Sequence, residues 1–192
     1  AEVWRQLIHE GGVPLHQLVL PAGAAELLPS PGAGQRVSQV NLPSHAAAGS
    51  RAAGLVAAAE GEVIVLLTTP PRRLSPRWLA ELATLASRPD SGFVSPLLLS
   101  AKDRVLESGW VAGSQGLAPA MNEFDATGDG FNGSLRCNRE VSAVSGLCLA
   151  FQRNLWTVPT TAAGSPWWAF DCALQAREDG FHNRVAANSR IH

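Results

Sequence analysis

Two adjacent threonines end an apolar run of the sequence and stand before a pair of prolines and a pair of arginines. The segment is VIVLLTTPPRR, residues 63–73, in which Thr68 and Thr69 offer hydroxyl groups and Arg72 and Arg73 offer guanidinium groups. Guanidinium groups bind phosphate or carboxylate through charge-assisted hydrogen bonds, whereas hydroxyl groups are neutral donors and acceptors. These residue types predict a site for a phosphate-bearing ligand or an acidic partner. The alternative is a solvated arginine pair on the approach to a helix.

A carboxylate and two tryptophans form a second chemically useful group near the end of the chain. Asp171 follows the tryptophan pair Trp167 and Trp168 by a few residues. A positioned carboxylate can take a proton from a hydroxyl group, and aromatic faces suit the C–H surfaces of sugars. Both features have a structural alternative. The helix dipole favours a carboxylate in a first helical turn, and tryptophans serve equally in core or interface packing.

The apolar run predicts the strand that positions the two threonines. Residues 63–67 are uninterrupted, too short for a helix and β-branched at three of five positions, which indicates a central strand covered on both faces. The prolines end this strand and leave Thr68 and Thr69 at its carboxyl end, where ligands bind in open α/β sheets. Ser75 and Pro76 predict the N-cap and first position of the next helix.

The other predicted elements alternate in the first half of the chain and are mixed in the second. Strands are predicted over residues 15–20, 37–40, 93–99, 140–151 with a bend at Gly146, and 181–191; helices are predicted over residues 2–9, 46–60 and 167–179. Residues 105–111 predict an exposed strand or hairpin arm, and residues 113–133 predict an irregular segment. This order favours one α/β layered domain over residues 1–192, Rossmann-like, with a mostly parallel central sheet and a mixed second half.

Composition narrows the classes of partner. A chain of 192 residues with 46% apolar and 16% charged residues is typical of one globular domain. Fifteen basic and sixteen acidic residues without runs of either sign argue against nucleic acid as a partner.

No apolar stretch reaches the roughly 18 residues of a membrane span, and no signal pattern begins the chain, so a cytoplasmic location is expected. Cys137, Cys148 and Cys172 are too widely spaced for a zinc site or disulfide framework and are expected to be reduced thiols.

Three segments of the chain resemble motifs of one enzyme family. GEVIVLLTTPPRRLSPRWLAEL, residues 61–82, is similar to G-E-x-x-x-F-L-N-D-D-T-x-x-x-P-x-W-L-x-x-L, and VSAVSGLCLAFQR, residues 141–153, is similar to V-S-A-V-T-G-A-C-L-L-V-R-R. FDCALQAREDGF, residues 170–181, is a weaker match to D-x-D-x-x-L-R-x-R-E-x-G-Y. The chain thereby resembles the family-2 inverting glycosyltransferases of GT-A fold, especially the rhamnosyltransferase-like members of polysaccharide assembly. The resemblance implies a GT-A-like layered domain, here without the family's first strand.

The resemblance also implies a nucleotide-diphosphate sugar and a magnesium or manganese ion held by carboxylates. The family's N-D-D positions fall on Thr68, Thr69 and Pro70, which supply no carboxylate, so no metal cofactor is expected. The acids that contact the nucleoside in the family fall on Pro21 and Ala22. The metal and nucleoside contacts of the family are therefore missing from this chain.

The remaining candidate site residues are carried over by position. The family's first acid before the last helix falls on Ala169, and the second is kept as Asp171, the candidate catalytic base. Arg51 matches a basic position near the diphosphate, with a solvated helix arginine as the alternative. Ser145 and Gly146 match the T-G pair on the acceptor side, where a plain strand bend is the alternative.

Two further positions complete the set. The loop that carries Trp167 and Trp168 borders the acceptor in the family. His192 stands where many members place a histidine after the last strand. It would serve as a ligand only if a metal is bound, and otherwise as a surface or packing histidine.

Three functions follow as hypotheses. The leading one is a catalytically degenerate relative of glycan assembly that binds a nucleotide sugar or glycan, or acts as a scaffold for a protein partner or a further domain of a longer chain. The alternative is an active, metal-independent glycosyltransferase in which Arg51, Arg72 or Arg73 replaces the cation and Asp171 is the base. The third is a structural domain that self-associates or docks through exposed apolar surface.

Overall fold

The computed structural model describes residues 12–14, 17–22, 24, 35–43, 45–157 and 167–192. The strands in these ranges are β1 (Gln17–Pro21), β2 (Arg36–Val40), β3 (Val63–Leu67), β4 (Ser91–Leu99), β5 (Val105–Glu107), β6 (Trp110–Gly113), β7 (Gly116–Pro119), β8 (Arg139–Val141), β9 (Cys148–Gln152) and β10 (His182–Ile191). The helices are α1 (Ala48–Ala57), α2 (Trp78–Ala86) and α3 (Trp168–Glu178). Two short 3-10 turns cover Phe131–Gly133 and Arg153–Leu155.

Six strands form the main sheet in the order β3–β9–β4–β10–β8, with β5 added to β4. Of its five ladders, the one between β4 and β10 is parallel and the others are antiparallel. Strands β1 and β2 form a separate parallel pair, and β6 and β7 form a hairpin. The prediction of a Rossmann-like, GT-A-like layered domain with a mostly parallel central sheet is therefore wrong. The sheet is mixed and mainly antiparallel.

The cause of this difference is the position of β9. The chain leaves β3, forms α2 and continues into β4 in the same direction, as the alternation of strand and helix predicts. However, β9 arrives from the second half of the chain and inserts between β3 and β4, antiparallel to both. Strands β3 and β4 are about 50 to 90 residues away from β9 in sequence, so no local pattern predicts the insertion.

Strand β3 has the predicted bounds but not the predicted place. It pairs with β9 and lies at the end of the sheet, so the expectation of a central strand is wrong. Its Ile64 and Leu66 are buried, whereas Val63, Val65 and Leu67 are half-buried. The two faces of the strand are covered by helices, which explains why the run contains no polar alternation although it is an edge strand.

Two apolar clusters cover the two faces of the main sheet. Strand β9 shows the division most clearly, because Leu149 and Phe151 belong to the cluster that contains residues of α1 and α3, while Cys148 and Ala150 belong to the cluster that contains α2. This alternation is the period of two that a strand between two layers requires. The sheet is therefore the shared middle layer of a single three-layer arrangement.

Two local predictions differ from the structure because tertiary contacts override them. Ser75 is not the N-cap of α2; Arg77 precedes the helix in the left-handed conformation, at φ 57°. The Ser75 hydroxyl instead donates to Asn188 O at 3.2 Å and accepts from Arg190 N at 2.9 Å, next to β10. The predicted strand over residues 140–151 is two strands, β8 and β9, which lie at different places in the sheet.

The predicted bounds of several other strands and helices agree with the structure. Strands β2, β4 and β10 and helices α1 and α3 fall within the segments predicted for them or extend one or two residues beyond. The segment over residues 113–133, predicted as irregular, includes β7 and so contributes to a hairpin with β6. The predicted helix over residues 2–9 lies outside the described residues.

None of the described helices combines the length and the apolar character needed to cross a membrane.

One buried asparagine fastens α3 and the loop after β8 to the main sheet. Asn183 on β10 is 1% exposed, and its Oδ1 accepts from the Phe93 N–H of β4 at 2.9 Å. Its Nδ2 donates to Ser142 O at 3.0 Å and to Ala173 O at 2.7 Å. One side chain therefore satisfies three buried backbone groups on three different segments.

Candidate functional site

The candidate site lies where three strands of the main sheet end. Strands β3, β4 and β10 run in the same direction, because β9 is antiparallel to both β3 and β4 and β10 is parallel to β4. We call this end of the sheet the carboxyl edge. Thr68 follows β3 there, Ser100 follows β4 and His192 follows β10. The loop that carries Ser145 and Gly146 reaches the same edge, since it leads into β9.

Thr68 is held against that loop by its own hydroxyl group. Its Oγ1 donates to Gly146 O at 2.8 Å, and its backbone N–H donates to Leu147 O at 3.1 Å. The structure therefore brings together the first predicted donor-side residue and the predicted acceptor-side glycine. The bond uses the only proton of the Thr68 hydroxyl, which leaves its oxygen as an acceptor.

Gly146 lies directly against the first turn of α3. A Cβ atom at this position would lie 2.6 Å from Trp168 Cζ2 and 3.3 Å from Ala169 Cβ. Only a glycine fits this contact without movement of the indole ring. The alanine that stands where the family places an acid is therefore directly against the loop, in a space that the indole and the loop backbone already fill.

A carboxylate that the sequence analysis did not single out lies under the same loop. Glu107, the last residue of β5, is 5% exposed, and its Oε1 accepts from the Ser145 N–H at 2.9 Å. Burial raises the pKa of Glu107, and hydrogen bonding by Ser145 and the neighbouring Trp110 indole lowers it by less. The Trp110 Nε1 is buried, and its contact with the Glu107 carboxylate falls outside hydrogen-bonding geometry, so it is a weak donor to that group. Removal of the charged carboxylate from water outweighs the few donors around it.

The sequence contains a signal that could have found this carboxylate. In VLE, residues 105–107, Val105 and Glu107 share one face of the strand, and that face is buried while Leu106 is exposed. An acid on the same face as a buried valine is unusual and indicates a structural or functional role. The prediction of an exposed hairpin arm over residues 105–111 obscured it.

The two buried cysteines, Cys148 and Cys172, are unreactive thiols. Burial, and secondly the nearby charge of Glu107, raise the pKa of Cys148 far above its ordinary range. Burial, and secondly Asp171, raise the pKa of Cys172 to about 11. Both residues are therefore thiols and not thiolates at neutral pH, and neither is a candidate nucleophile.

The donor set at the carboxyl edge does not suit the metal ion that the resemblance implies. Magnesium and manganese require carboxylate or phosphate oxygens, whereas Thr68, Thr69 and Pro70 offer two neutral hydroxyls, one of which is already a donor to Gly146. Among the described residues, no three His, Cys, Asp or Glu side chains come together in a way that could hold a metal ion.

His192 is engaged by protein groups. Its side chain is 9% exposed, its Nε2 lies 2.8 Å from the Arg73 guanidinium, and its Nδ1 lies 3.1 Å from Ser100 O. The same Arg73 nitrogen donates to Asp103 Oδ1 at 2.7 Å. Nδ1 as the protonated nitrogen satisfies both ring contacts, with Arg73 donating to Nε2. The guanidinium of Arg73 is thus already paired with a carboxylate.

The other predicted polar residues are exposed and spread out. Arg51 projects from the exposed side of α1, whose Ala52 and Val56 pack into the core. Arg72 is exposed, and its backbone N–H donates to His192 O at 2.5 Å, which places it near the end of β10. Thr69 is exposed beside Thr68, and Asp171 is exposed in the first turn of α3. Of these residues, Asp171 lies on the same helical turn as Trp168 and Ala169.

The two tryptophans have different environments. Trp168 is 2% exposed and meets Trp156 edge-on, with ring centroids 5.9 Å apart. Trp167 is 59% exposed, and its ring lies 5.4 Å from that of Phe170. Leu147, at 44% exposure, follows the Gly146 contact on the facing loop. Trp167 is therefore the ring of this pair that solvent and a ligand can reach.

A shallow depression lies at the opposite end of β3. It has a volume of about 640 Å³ and is lined by residues of α1 together with Glu62, Gln152, Arg153 and Trp156. Glu62 precedes β3 and Arg153 follows β9, so this depression is at the amino end of β3 and away from Thr68. It does not include the residues that the sequence analysis singled out.

Comparison with known proteins adds one relative. No family model matches the chain. The chain is 28% identical over 136 residues to a protein of Sinorhizobium fredii named uncharacterized protein y4gI, and the match covers 67% of the chain. The chain spans 15% of the length of that relative. The activity and partners of the whole relative therefore do not follow from the match.

Proposed function

We propose that this chain is a catalytically degenerate relative of the family-2 glycosyltransferases and binds a glycan at the carboxyl edge without transferring a sugar. The observation that carries the proposal is the contact of Thr68, Gly146, Trp168 and Ala169. The resemblance implies metal-binding carboxylates at the positions of Thr69 and Pro70, which supply none, directly after Thr68 and its bond to Gly146 O. It implies a further carboxylate at the position of Ala169, whose methyl group lies against Gly146.

The exposed ring of Trp167 supports a glycan as the ligand. Aromatic rings stack on the apolar faces of sugars, and this ring lies at the start of α3, next to the residues that contact Gly146. Leu147 adds exposed apolar surface on the facing loop. The relative from Sinorhizobium fredii is much longer than this chain, which supports the view that such a domain works within a larger protein.

The test is thermal unfolding of the purified chain with oligosaccharides, nucleoside diphosphates and nucleotide sugars, each with and without manganese. A ligand at about 100 times its Kd adds roughly 2.7 kcal/mol to the free energy of unfolding, a shift of several degrees in Tm. We expect a shift with at least one oligosaccharide and no added effect of manganese. Trp167→Ala should abolish this shift, whereas Phe131→Ala, which removes another exposed ring, should keep it.

The rival function is a metal-independent transferase with Asp171 as its base. The pairing of Arg73 with Asp103 and His192 weighs against it, because that guanidinium already donates to a carboxylate and lies against the His192 ring. Release of free nucleoside diphosphate from a nucleotide sugar, lost in Asp171→Asn, would overturn the proposal in favour of this rival. Failure of every oligosaccharide to shift the Tm would refute the glycan ligand itself.

A further inference from the structure

A buried carboxylate supports the loop that forms one side of the proposed glycan site. Glu107 is 5% exposed at the end of β5, and its Oε1 accepts from the Ser145 N–H at 2.9 Å. The next two carbonyl groups of the chain, Gly146 O and Leu147 O, accept from the Thr68 hydroxyl and the Thr68 N–H. The loop over residues 145–147 is therefore held by Glu107 at its start and by the end of β3 along the rest.

A row of aromatic rings links the same carboxylate to the other side of the site. The Trp110 indole lies against Glu107 and is a weak donor to it. The Trp110 ring meets Phe170 edge-on, with centroids 4.9 Å apart, and Phe170 lies 5.4 Å from Trp167. Glu107 thus contacts both the loop that carries the exposed Leu147 and the rings on which the exposed Trp167 rests.

The two N–H groups that face Glu107 favour its charged form. A carboxylate accepts on both oxygens, whereas a neutral acid turns one of its oxygens into an O–H donor. Hydrogen bonds to a charged acceptor are also roughly twice as strong as those between neutral groups. A proton on Glu107 therefore weakens its bond to the Ser145 N–H, its attraction for the Trp110 indole, or both.

The neighbours of Glu107 do not take over this charge. Leu98 of β4, which pairs with Glu107, and Phe170 of α3 are apolar. Cys148 of β9 lies close enough to respond to the charge of Glu107, but its raised pKa keeps it a neutral thiol. The Arg139 guanidinium of β8 donates to Ser108 O, beside Glu107. Burial lowers the pKa of Arg139, but from so high a value that it stays charged.

We propose that Glu107 is a positioning residue of the glycan site, and that its negative charge holds the 145–147 loop and the Trp167 ring in the arrangement that binds the glycan. This inference rests on the proposed glycan binding and adds the control of that site by pH. The glycan binds the charged form more tightly, so binding releases a proton from Glu107 to solvent. Burial favours the neutral form, so glycan affinity should rise with pH while the stability of the free chain falls.

Fluorine NMR of the chain labelled with 5-fluorotryptophan tests the positioning role without a ligand. The Trp110 and Trp167 signals, identified with Trp110→Phe and Trp167→Phe, should move between pH 5 and pH 8 with one common midpoint. The amide signal of Ser145 in nitrogen-labelled chain should share that midpoint. Absence of a common transition at Trp167 and Ser145 would refute the positioning role.

Three variants assign the transition to Glu107. Glu107→Gln keeps the size of the side chain without its charge and should abolish the transition. Glu178→Gln changes an exposed carboxylate of α3 and should leave it as in the parent chain. Trp110→Phe removes one donor to the charged form and keeps a ring against Phe170, so the midpoint at Ser145 should move to higher pH. A transition that persists in Glu107→Gln, or an unchanged midpoint in Trp110→Phe, contradicts the proposal.

Calorimetry with cellotetraose, maltotetraose and chitotetraose tests the effect on binding. A probe that binds should do so at least about fivefold more tightly at pH 8 than at pH 5 and should release protons to the buffer. Glu107→Gln should bind it equally at both pH values, about as weakly as the parent chain at pH 5. Affinity of the parent chain that is independent of pH, or proton uptake on binding, would overturn the proposal. Failure of all three probes to bind would count against the glycan function itself, and the fluorine signals would then still decide whether Glu107 positions the loop.

Discussion

At the scale of single residues, the carboxyl edge is organised by a buried acid and a glycine on one short loop. The Glu107 carboxylate accepts a hydrogen bond from the Ser145 N–H, and the Gly146 carbonyl accepts one from the Thr68 hydroxyl. Gly146 also packs against the Trp168 ring. Burial disfavours the charged form of the Glu107 carboxylate and therefore raises its pKa, so the charged form lowers the stability of the fold. The glycine costs backbone entropy but permits a contact that a side chain would exclude.

Glu107 should make stability depend on pH. Its pKa in the folded state is raised above the ordinary glutamate value of 4.5, so the folded chain keeps the proton where the unfolded chain has released it. The free energy of unfolding must then fall as pH rises from about 4.5 to the raised pKa, and this loss should be absent from Glu107→Gln. We expect the decrease in Tm between pH 5 and pH 8 to be smaller in Glu107→Gln than in the parent chain.

The control for this pH series is Glu178→Gln, which changes an exposed glutamate at the end of α3. It should leave the pH dependence of the Tm as it is in the parent chain. Parallel pH profiles for the parent and Glu107→Gln would show that Glu107 titrates normally and would contradict the prediction.

Gly146→Ala should destabilise the chain. The added methyl group lies 2.6 Å from Trp168 Cζ2 unless the indole ring or the loop moves, and overpacking of this kind costs about 1–3 kcal/mol. Urea unfolding measures the change. Gly113→Ala is the control, because a Cβ there meets no atom within 4 Å, and its effect should stay within about 0.5 kcal/mol. Equal stability of the two variants would disprove the close contact.

At the scale of elements, single side chains fasten neighbouring segments to one another. Asn183 joins β10 to β4, to α3 and to the loop after β8, and it does so from a position that is 1% exposed. The loop after β3 is joined to β10 in a different way, through backbone bonds between Arg73 and His192 of 2.9 and 3.3 Å. Asn183 acts near the start of β10 and the Arg73–His192 bonds act at its end, so β10 is joined to its neighbours at both ends.

Asn183→Ala should lower the free energy of unfolding by about 2–3 kcal/mol. The substitution leaves the Phe93 N–H, Ser142 O and Ala173 O buried without their partner, and each unsatisfied group carries a desolvation cost. Asn122→Ala changes an exposed asparagine and should alter stability by less than about 0.5 kcal/mol. A loss in Asn183→Ala no larger than in this control would show that the network does not stabilise α3.

At the scale of the whole molecule, one sheet is shared by both apolar clusters. Phe151 and Ala150 are neighbours on β9 and point into opposite clusters, so neither cluster can lose its order without disturbing the other. A third, smaller cluster of Leu97, Leu99, Val105, Ala126 and Leu135 extends the core beyond β4. This arrangement predicts that the described residues unfold as one cooperative unit.

Two substitutions on opposite faces of the sheet test this cooperativity. Phe151→Ala removes a fully buried ring from the α1 and α3 side, at a cost of about 3–5 kcal/mol, and Leu82→Ala opens the α2 side, at a cost of about 2–5 kcal/mol. Calorimetry should show a single transition in both variants, shifted to lower temperature. Two transitions, of which each variant shifts one, would show that the faces unfold independently.

The amino-acid sequence by itself determined the local elements. The bounds of β3 match the apolar run before the prolines, and α3 begins and ends within two residues of its predicted limits, because hydrophobic periodicity and proline or glycine punctuation act over a few residues. The apolar run and the prolines placed Thr68 at the end of its strand, whereas Ser145, Gly146 and Trp168 were assigned to the acceptor side through the resemblance to the family's motifs. The structure brings Thr68, Gly146 and Trp168 together.

Only the tertiary structure decided the order and direction of the strands. The insertion of β9 between β3 and β4 made the sheet mainly antiparallel, and β3 lies at its end among the described residues and not at its centre. It also brought Glu107 under Ser145, which lies 38 residues later in the chain. Pairings of this kind depend on long-range closure of the chain and on the fit of whole layers, and no short pattern of residues encodes them.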